Sequence, residues 1–223
     1  MTGKGKEIFE ELRQVVSGKT LDALLPPMVF ALVNGMLGLY MAAAAALGLS
    51  LLLGLRRLFL GQKATYALGG FLVVGAASGL ALVTRNASSY FLSASLTSGV
   101  LLASALLSLI LNQPLAAWVS HLSRGWPLAW FWRADVKPAY REVTVFWAVF
   151  FALRLSLQIL LLRGGDVFRL AWANALLGWP VTALVLILSY IYGIWRLHSL
   201  GGPGVDEYQK DLPPPWRGQV RGF

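Results

Sequence analysis

From Leu24 to Leu55 the chain runs for 32 residues without one aspartate, glutamate, lysine or arginine. No other feature limits the fold as strongly. About 20 apolar residues in helix cover the hydrocarbon core of a bilayer, so this block is too long for one crossing and near the right length for two. Asn34-Gly35 and Gly38 offer turn residues inside it. The expected arrangement is a first span over Asp22 to Gly35 and a second over Leu37 to Leu55. Pro26-Pro27 would stand at the start of the first, where the missing N–H of proline does no harm. An alternative carries the first span on to Tyr40 and shortens the second.

The pattern repeats along the chain. Arg56-Arg57 and Lys63 mark a polar connection, and a third span is expected from Ala64 to Val83, ended by Arg85-Asn86. A fourth follows from Phe91 to Leu111, stopped by Asn112-Gln113-Pro114. A fifth runs from Val143 to Leu162, and a sixth from Phe168 to Trp195 with Pro180 kinking it. Charged residues make up only 13% of the chain and hydrophobic ones 57%, against about 25% charged in a typical soluble domain. So few charges cannot cover a water-facing surface, which leaves lipid as the solvent for the excess.

Charge placement tests the count of six. With both termini in the cytoplasm, the N-terminus, the second-to-third connection, the fourth-to-fifth connection and the C-terminus hold four, three, four and four Lys/Arg. The opposite side holds only Arg85, Arg163 and Arg169. A bias of this kind is the positive-inside signature. It also accounts for the formal charge of +9, so no nucleic-acid partner is expected. Five or seven spans would split the termini and spoil the bias. The predicted fold is therefore an all-α, six-span transmembrane bundle with both ends cytoplasmic, in a plasma membrane.

Three segments flank or interrupt that bundle. Residues 1–20 contain no cleavable signal and read as a cytoplasmic amphipathic leader, with Ile8, Leu12, Val15 and Val16 on one face. The transmembrane domain takes 21–197. Within it, about 114–141 read as an interfacial segment: Leu115, Trp118, Val119 and Leu122 recur at helical spacing, and Arg124, Trp126, Trp130, Trp132 and Arg133 follow. Tryptophan favours the membrane–water boundary and arginine meets lipid phosphate there, so an in-plane helix contacting membrane lipid is expected in this connection. Residues 198–223, rich in glycine, proline and charge, are expected to form a disordered cytoplasmic tail. Small residues mark close helix contacts in lipid. Gly75 and Gly79 of the third span and the serine-rich fourth span predict that these two are neighbours, and the alanines from Ala42 to Ala46 suit a similar contact.

Arg154 is the nineteenth basic residue and the exception to the charge pattern. It stands eleven residues into the fifth span, about 17 Å along at helical rise. A guanidinium at that depth costs roughly 2.5–3.5 kcal/mol on insertion and cannot deprotonate to escape. No span carries an acid at its level. Gln158 lies one turn on, Asn34 falls at a similar depth, and Asn174 approaches from the sixth span. Arg154, Gln158, Asn34 and Asn174 are the candidate ligand-binding residues, with two roles open: bonding to carbonyls freed by the short first span and the Pro180 kink, or binding something anionic such as a lipid headgroup or small anion. No catalytic group, cofactor or metal is expected. Cysteine is absent, the two histidines alone make no metal site of the usual kind, and no general base stands beside a hydroxyl.

The stretches RNASSYFLSASLTSG, WRADVKPAYREVTVFWAVFFALRLSLQ and LLGWPVTAL resemble a family of uncharacterised bacterial membrane proteins. That family carries a domain-of-unknown-function label and is similar to the intracellular septation protein A group. The resemblance spans about Asp22 to Trp195 and rests on Trp132, Arg133, Asp135, Tyr140, Thr144, Trp147, Arg154 and Gln158. Ser93 and Ser98 depart from the pattern near the fourth span. The resemblance implies a multi-pass protein of the bacterial inner membrane, linked to envelope or division processes and without an assigned activity. The leading expectation is a non-catalytic interaction or scaffolding component, with membrane proteins or a second copy of the chain as partners. The alternative is a small transporter, channel or lipid-handling protein centred on Arg154.

Overall fold

The computed structural model describes residues 19–62, 64–219 and 222–223. The expected leader, residues 1–20, lies almost wholly outside them. Eleven helical elements follow one another among the described residues. They are α1 (Lys19–Leu37), α2 (Leu39–Phe59), α3 (Ala64–Val83), a 3₁₀ turn (Ala87–Phe91), α4 (Leu92–Ile110), α5 (Leu115–Arg124), α6 (Leu128–Phe131), α7 (Lys137–Gly164), α8 (Val167–Leu177), α9 (Trp179–Leu200) and α10 (Val205–Gln209). The fold class is all-helical, and no strand occurs among the described residues.

Four stretches are long and apolar enough to cross a membrane: Leu39–Phe59, Ala87–Ile110, Lys137–Gly164 and Val167–Leu200. The apolar parts of the other two expected spans are shorter, Leu24–Leu37 and Leu68–Val83. Helix ends shift in informative ways. Of the turn residues expected between α1 and α2, Gly38 makes the break and Asn34-Gly35 stays helical, because Gly38 takes φ +81° with extended ψ, a conformation open to glycine and closed to residues with a Cβ. Pro26 and Pro27 lie inside α1 rather than at its start. The kink expected at Pro180 is a break two residues earlier, at Gly178: α8 ends at Leu177 and α9 begins at Trp179. Proline then occupies the first turn of a new helix, where its N–H is not missed. A Cβ on Gly178 would come within 2.7 Å of the Asn174 carbonyl oxygen, so the break needs a residue without one.

The chain divides into two compact units. The first takes residues up to Leu96 together with Leu157–Val181. Its core holds Ala42, Ala43 and Ala46 of α2, Val74, Ala77 and Ala81 of α3, and Leu170 and Ala171 of α8, closed by Phe30, Tyr90 and Phe91. The small side chains let backbones approach closely, which is how helices associate where lipid removes the hydrophobic drive between them. The contact expected of the Ala42–Ala46 run is found here, with α3 packed on α2 and against the 3₁₀ turn. Phe30 stacks on Tyr90 at 4.1 Å between ring centroids. Asn86 starts the 3₁₀ turn by accepting from the Ser88 N–H at 2.9 Å, and Asp166 caps α8 by accepting from the Arg169 N–H at 3.0 Å.

The second unit takes Thr97–Ser156 and Thr182–Phe223. Its core is aromatic: Trp130, Phe131 and Tyr140 are wholly buried, with Val136, Leu197 and Val205 around them. The expected interfacial segment appears here as α5 and α6. Two N–H groups of α5's first turn have no helical acceptor, and side chains supply one for each. Leu115 N–H donates to Ser108 Oγ at 3.0 Å, and Ala116 N–H donates to Thr144 Oγ1 at 3.1 Å. Gly125, at φ +70°, closes the helix with its N–H on the His121 carbonyl. Glu142 accepts from both Arg196 and Tyr192 and joins α7 to α9.

The tail departs from its composition. Described residues between Gly201 and Gln219 carry α10 and a set of specific bonds instead of lacking structure. Trp130 Nε1 donates to the Pro203 carbonyl at 2.9 Å, and the Val205 N–H donates to Gln219 Oε1 at 2.9 Å. Arg133 is held by Asp135 through two bonds and lies 5.8 Å and 5.4 Å from the Tyr208 and Trp216 rings. A segment without a core of its own is ordered here by borrowing one.

Candidate functional site

α7 is 28 residues long, about 42 Å at helical rise, and carries both Arg154 and Gln158. Gln158 belongs to the first unit and is wholly buried. Its Nε2 donates to Asn174 Oδ1 at 2.6 Å, and Asn174 Nδ2 donates in turn to the Leu170 carbonyl at 2.8 Å. α8 thus turns one of its own carbonyls into the anchor of a short directed chain. That chain leaves Gln158 Oε1 buried with no donor among the described residues. An unmade bond on a buried acceptor costs about 1–3 kcal/mol.

Two of the four predicted residues are therefore brought together, Gln158 and Asn174. Asn34 is half-buried in α1, and its backbone carbonyl accepts from the Gly38 N–H at 3.2 Å. No hydrogen bond joins it to the amide pair among the described residues. Arg154 belongs to the second unit and is half-buried. Its Nε is buried without an acceptor among the described residues. The proposed bond to a freed helix carbonyl is absent at that atom, so the guanidinium has donor capacity left over.

The predicted interfacial residues separate into two kinds. Arg124 is exposed and lies 5.0 Å from the centroid of the Trp126 ring. Trp118, Trp126, Trp132 and Arg133 are half-buried. Trp118 meets Trp132 edge to face at 6.1 Å, and Lys137 Nζ lies 5.8 Å from the Trp132 ring. Trp130 is the exception. It is wholly buried and spends its indole N–H on Pro203, so it is a core residue and not a lipid contact. On α5, Ala117 and Ser120 are buried while Val119 and Leu122 are exposed, Leu122 at 79%. Leu115 and Trp118 are half-buried.

Sequence reasoning missed other buried polar groups. Ser78 Oγ, Tyr90 OH and Ser95 Oγ of the first unit also lack partners among the described residues. Serine and tyrosine are ordinary in apolar helices, and no spacing set these apart. The tail's hold on Trp130 and Arg133 was equally out of reach, since nothing in a glycine–proline composition names its receptor.

Long apolar helices with outward aliphatic side chains point to a membrane protein. A model of proteins of unknown function, DUF3159, matches residues 16–196, and the chain belongs to that family. The match carries no link to septation protein A. No curated protein and no solved structure matches the chain.

Proposed function

We propose that this DUF3159 protein crosses a bacterial plasma membrane six times, with both ends cytoplasmic, and serves as a non-catalytic interaction or scaffolding component of the envelope. The observation that carries the reading is the second unit's aromatic module. A rigid core of Trp130, Phe131 and Tyr140 supports α5, whose exposed Val119 and Leu122 stand beside Arg124. Outward aliphatics next to a cation suit a helix lying in the headgroup region of anionic lipid. Such a module, held at the membrane surface, is a platform for partners. In this reading α1 and α3 complete the six crossings, shortened at the ends by neighbouring helices and interfacial residues. The kinship with septation protein A belongs to the proposal too and rests on the quoted motifs alone. The test is purification in mild detergent followed by identification of what comes with the protein. A recurring membrane partner supports scaffolding, and repeated isolation of the chain alone removes the basis for it.

A second reading is favoured by one atom. The unsatisfied Nε of Arg154 suits a small transporter or lipid-handling protein that binds an anionic group in the membrane. Arg154→Leu separates the two readings. A variant that folds and loses anion or anionic-lipid binding supports this second role. Equal binding by a folded variant leaves the arginine without one.

A further inference from the structure

Gly222 and Phe223 do not drift over the second unit; they are fitted into it. The Phe223 ring stacks on Tyr140 with centroids 4.3 Å apart and planes 10° apart. The Gly222 N–H donates to the Tyr190 hydroxyl at 3.2 Å. Two glycines make the fit possible. A Cβ on Gly193 of α9 would collide with the Phe223 ring. A Cβ on Gly222 would reach Trp126 at 2.8 Å and collide with the Arg124 guanidinium, and φ there is +80°. The hole is therefore made by residues of α5 to α7 and α9, and its shape is that of a glycine followed by an aromatic ring.

One long bond joins this pair to the rest of the tail: Gln219 Nε2 donates to the Gly222 carbonyl at 3.4 Å. Residues 201–219 are held through Trp130, Arg133 and the Glu207 carboxylate, which accepts from the N–H groups of Gly204, Arg217 and Gly218. None of those bonds involves Gly222 or Phe223. Breaking the Gln219 bond would free the pair from the base of the tail, and its departure would uncover Tyr140, Tyr190 and Gly193.

We infer that Tyr140, Tyr190, Gly193, Trp126 and Arg124 form a peptide-recognition site for a glycine–aromatic pair, and that Gly222–Phe223 is its removable internal ligand. Recognition comes from ring stacking on Tyr140, from the backbone bond to Tyr190, and from the absence of a side chain at the first position. The occupant is this chain's own segment. Because that segment is tethered, its effective concentration is in the millimolar range for a short link, and a free peptide competes poorly until the internal ligand is removed.

The experiment uses the full chain in detergent and a fluorescent heptapeptide of the sequence found at 217–223, followed by anisotropy. The parent protein is expected to bind the peptide weakly, and Phe223→Ala at least tenfold more tightly. The same heptapeptide with its phenylalanine replaced by alanine should lose that gain. Adding Gly193→Ala to Phe223→Ala should abolish binding, with elution as a single peak in size exclusion showing that the protein is folded. Equal binding by parent and Phe223→Ala overturns the proposal. So does equal binding of the two peptides, or undiminished binding by folded Gly193→Ala, Phe223→Ala protein. If the Gly193 variant does not fold, the two-peptide comparison on Phe223→Ala still decides.

Discussion

The two units solve the problem of a core with opposite materials. In the first, six alanines on α2, α3 and α8 join a few rings in a core of small side chains, with α3 close on α2 and α8 close on α1. In the second, Trp130, Phe131 and Tyr140 fill the interior with bulk. Alanine cores suit helices that are already apolar all round and gain only from tight packing. Aromatic cores suit a region where large area must be taken from water. The contrast teaches that one chain can use lipid-style packing in one part and water-style packing in another. Both units keep buried polar atoms without partners among the described residues, on Ser78, Tyr90, Ser95 and Gln158 in the first and on Tyr140 and Arg154 in the second. The second spends Trp130, Thr144 and Glu207 on backbone groups of neighbouring segments.

The sharpest way to break the contrast is Trp130→Ala. Removing a wholly buried indole and its bond to Pro203 should cost about 3–5 kcal/mol, read as a fall in unfolding midpoint in detergent and as early proteolysis of the tail. A loss below about 1 kcal/mol would show that aromatic bulk is not what holds the second unit. Next is Ala42→Leu in the first unit. Ala42 is wholly buried, and overpacking should cost about 1–3 kcal/mol. A neutral outcome would mean that α2 and α3 do not depend on close approach.

The amide pair offers a finer test. Leucine at Gln158, at Asn174 and at both, measured as a cycle, should give a coupling of about 0.6 kcal/mol and no more than about 1.7 kcal/mol. The double variant should be nearly as stable as the parent, because both partners of the bond are then removed together. No coupling would mean that the 2.6 Å contact contributes nothing to stability.

The smallest effect belongs to Glu207. Its carboxyl is held below the usual value of 4.5, first by the Gly204 N–H and then by those of Arg217 and Gly218. A lowered folded value means that the stabilisation is fully present above the unfolded value and is lost as pH falls through the folded one. Tail proteolysis should therefore be constant from neutral pH down to about 4.5 and should rise below it. Glu207→Gln should flatten that rise. Faster cleavage on going up from neutral pH would contradict the assignment.

How much of this was legible depends on range. The third span was expected at Ala64–Val83 and the helix has those bounds. Four of the expected spans coincide with the long apolar stretches, because uncharged runs and their polar stops are local signals. Helical spacing placed α5, but it could not say which face the protein covers. Ala117 and Ser120 turned inward, and Val119 and Leu122 outward. Trp130 shared the tryptophan spacing of its neighbours and was assigned with them to lipid. What set it apart was Pro203, 73 residues away. Gln158 and Asn174 were named from depth along two spans, and their bond came from the turn at Gly165–Asp166 that folds α8 back. Asn34 had the same depth and no such turn to bring it in.

The sequence alone determined that this chain is helical and rich in stretches able to cross a membrane, since 57% hydrophobic residues in long uncharged runs leave no other solvent for them. Tertiary structure alone decided which polar atoms find partners, which tryptophan is interior, and that a glycine–proline tail is ordered on an aromatic core. Those outcomes depend on groups distant in the chain meeting at bonding distance. A one-dimensional pattern records the periodicity of each segment and carries no term for what packs against it.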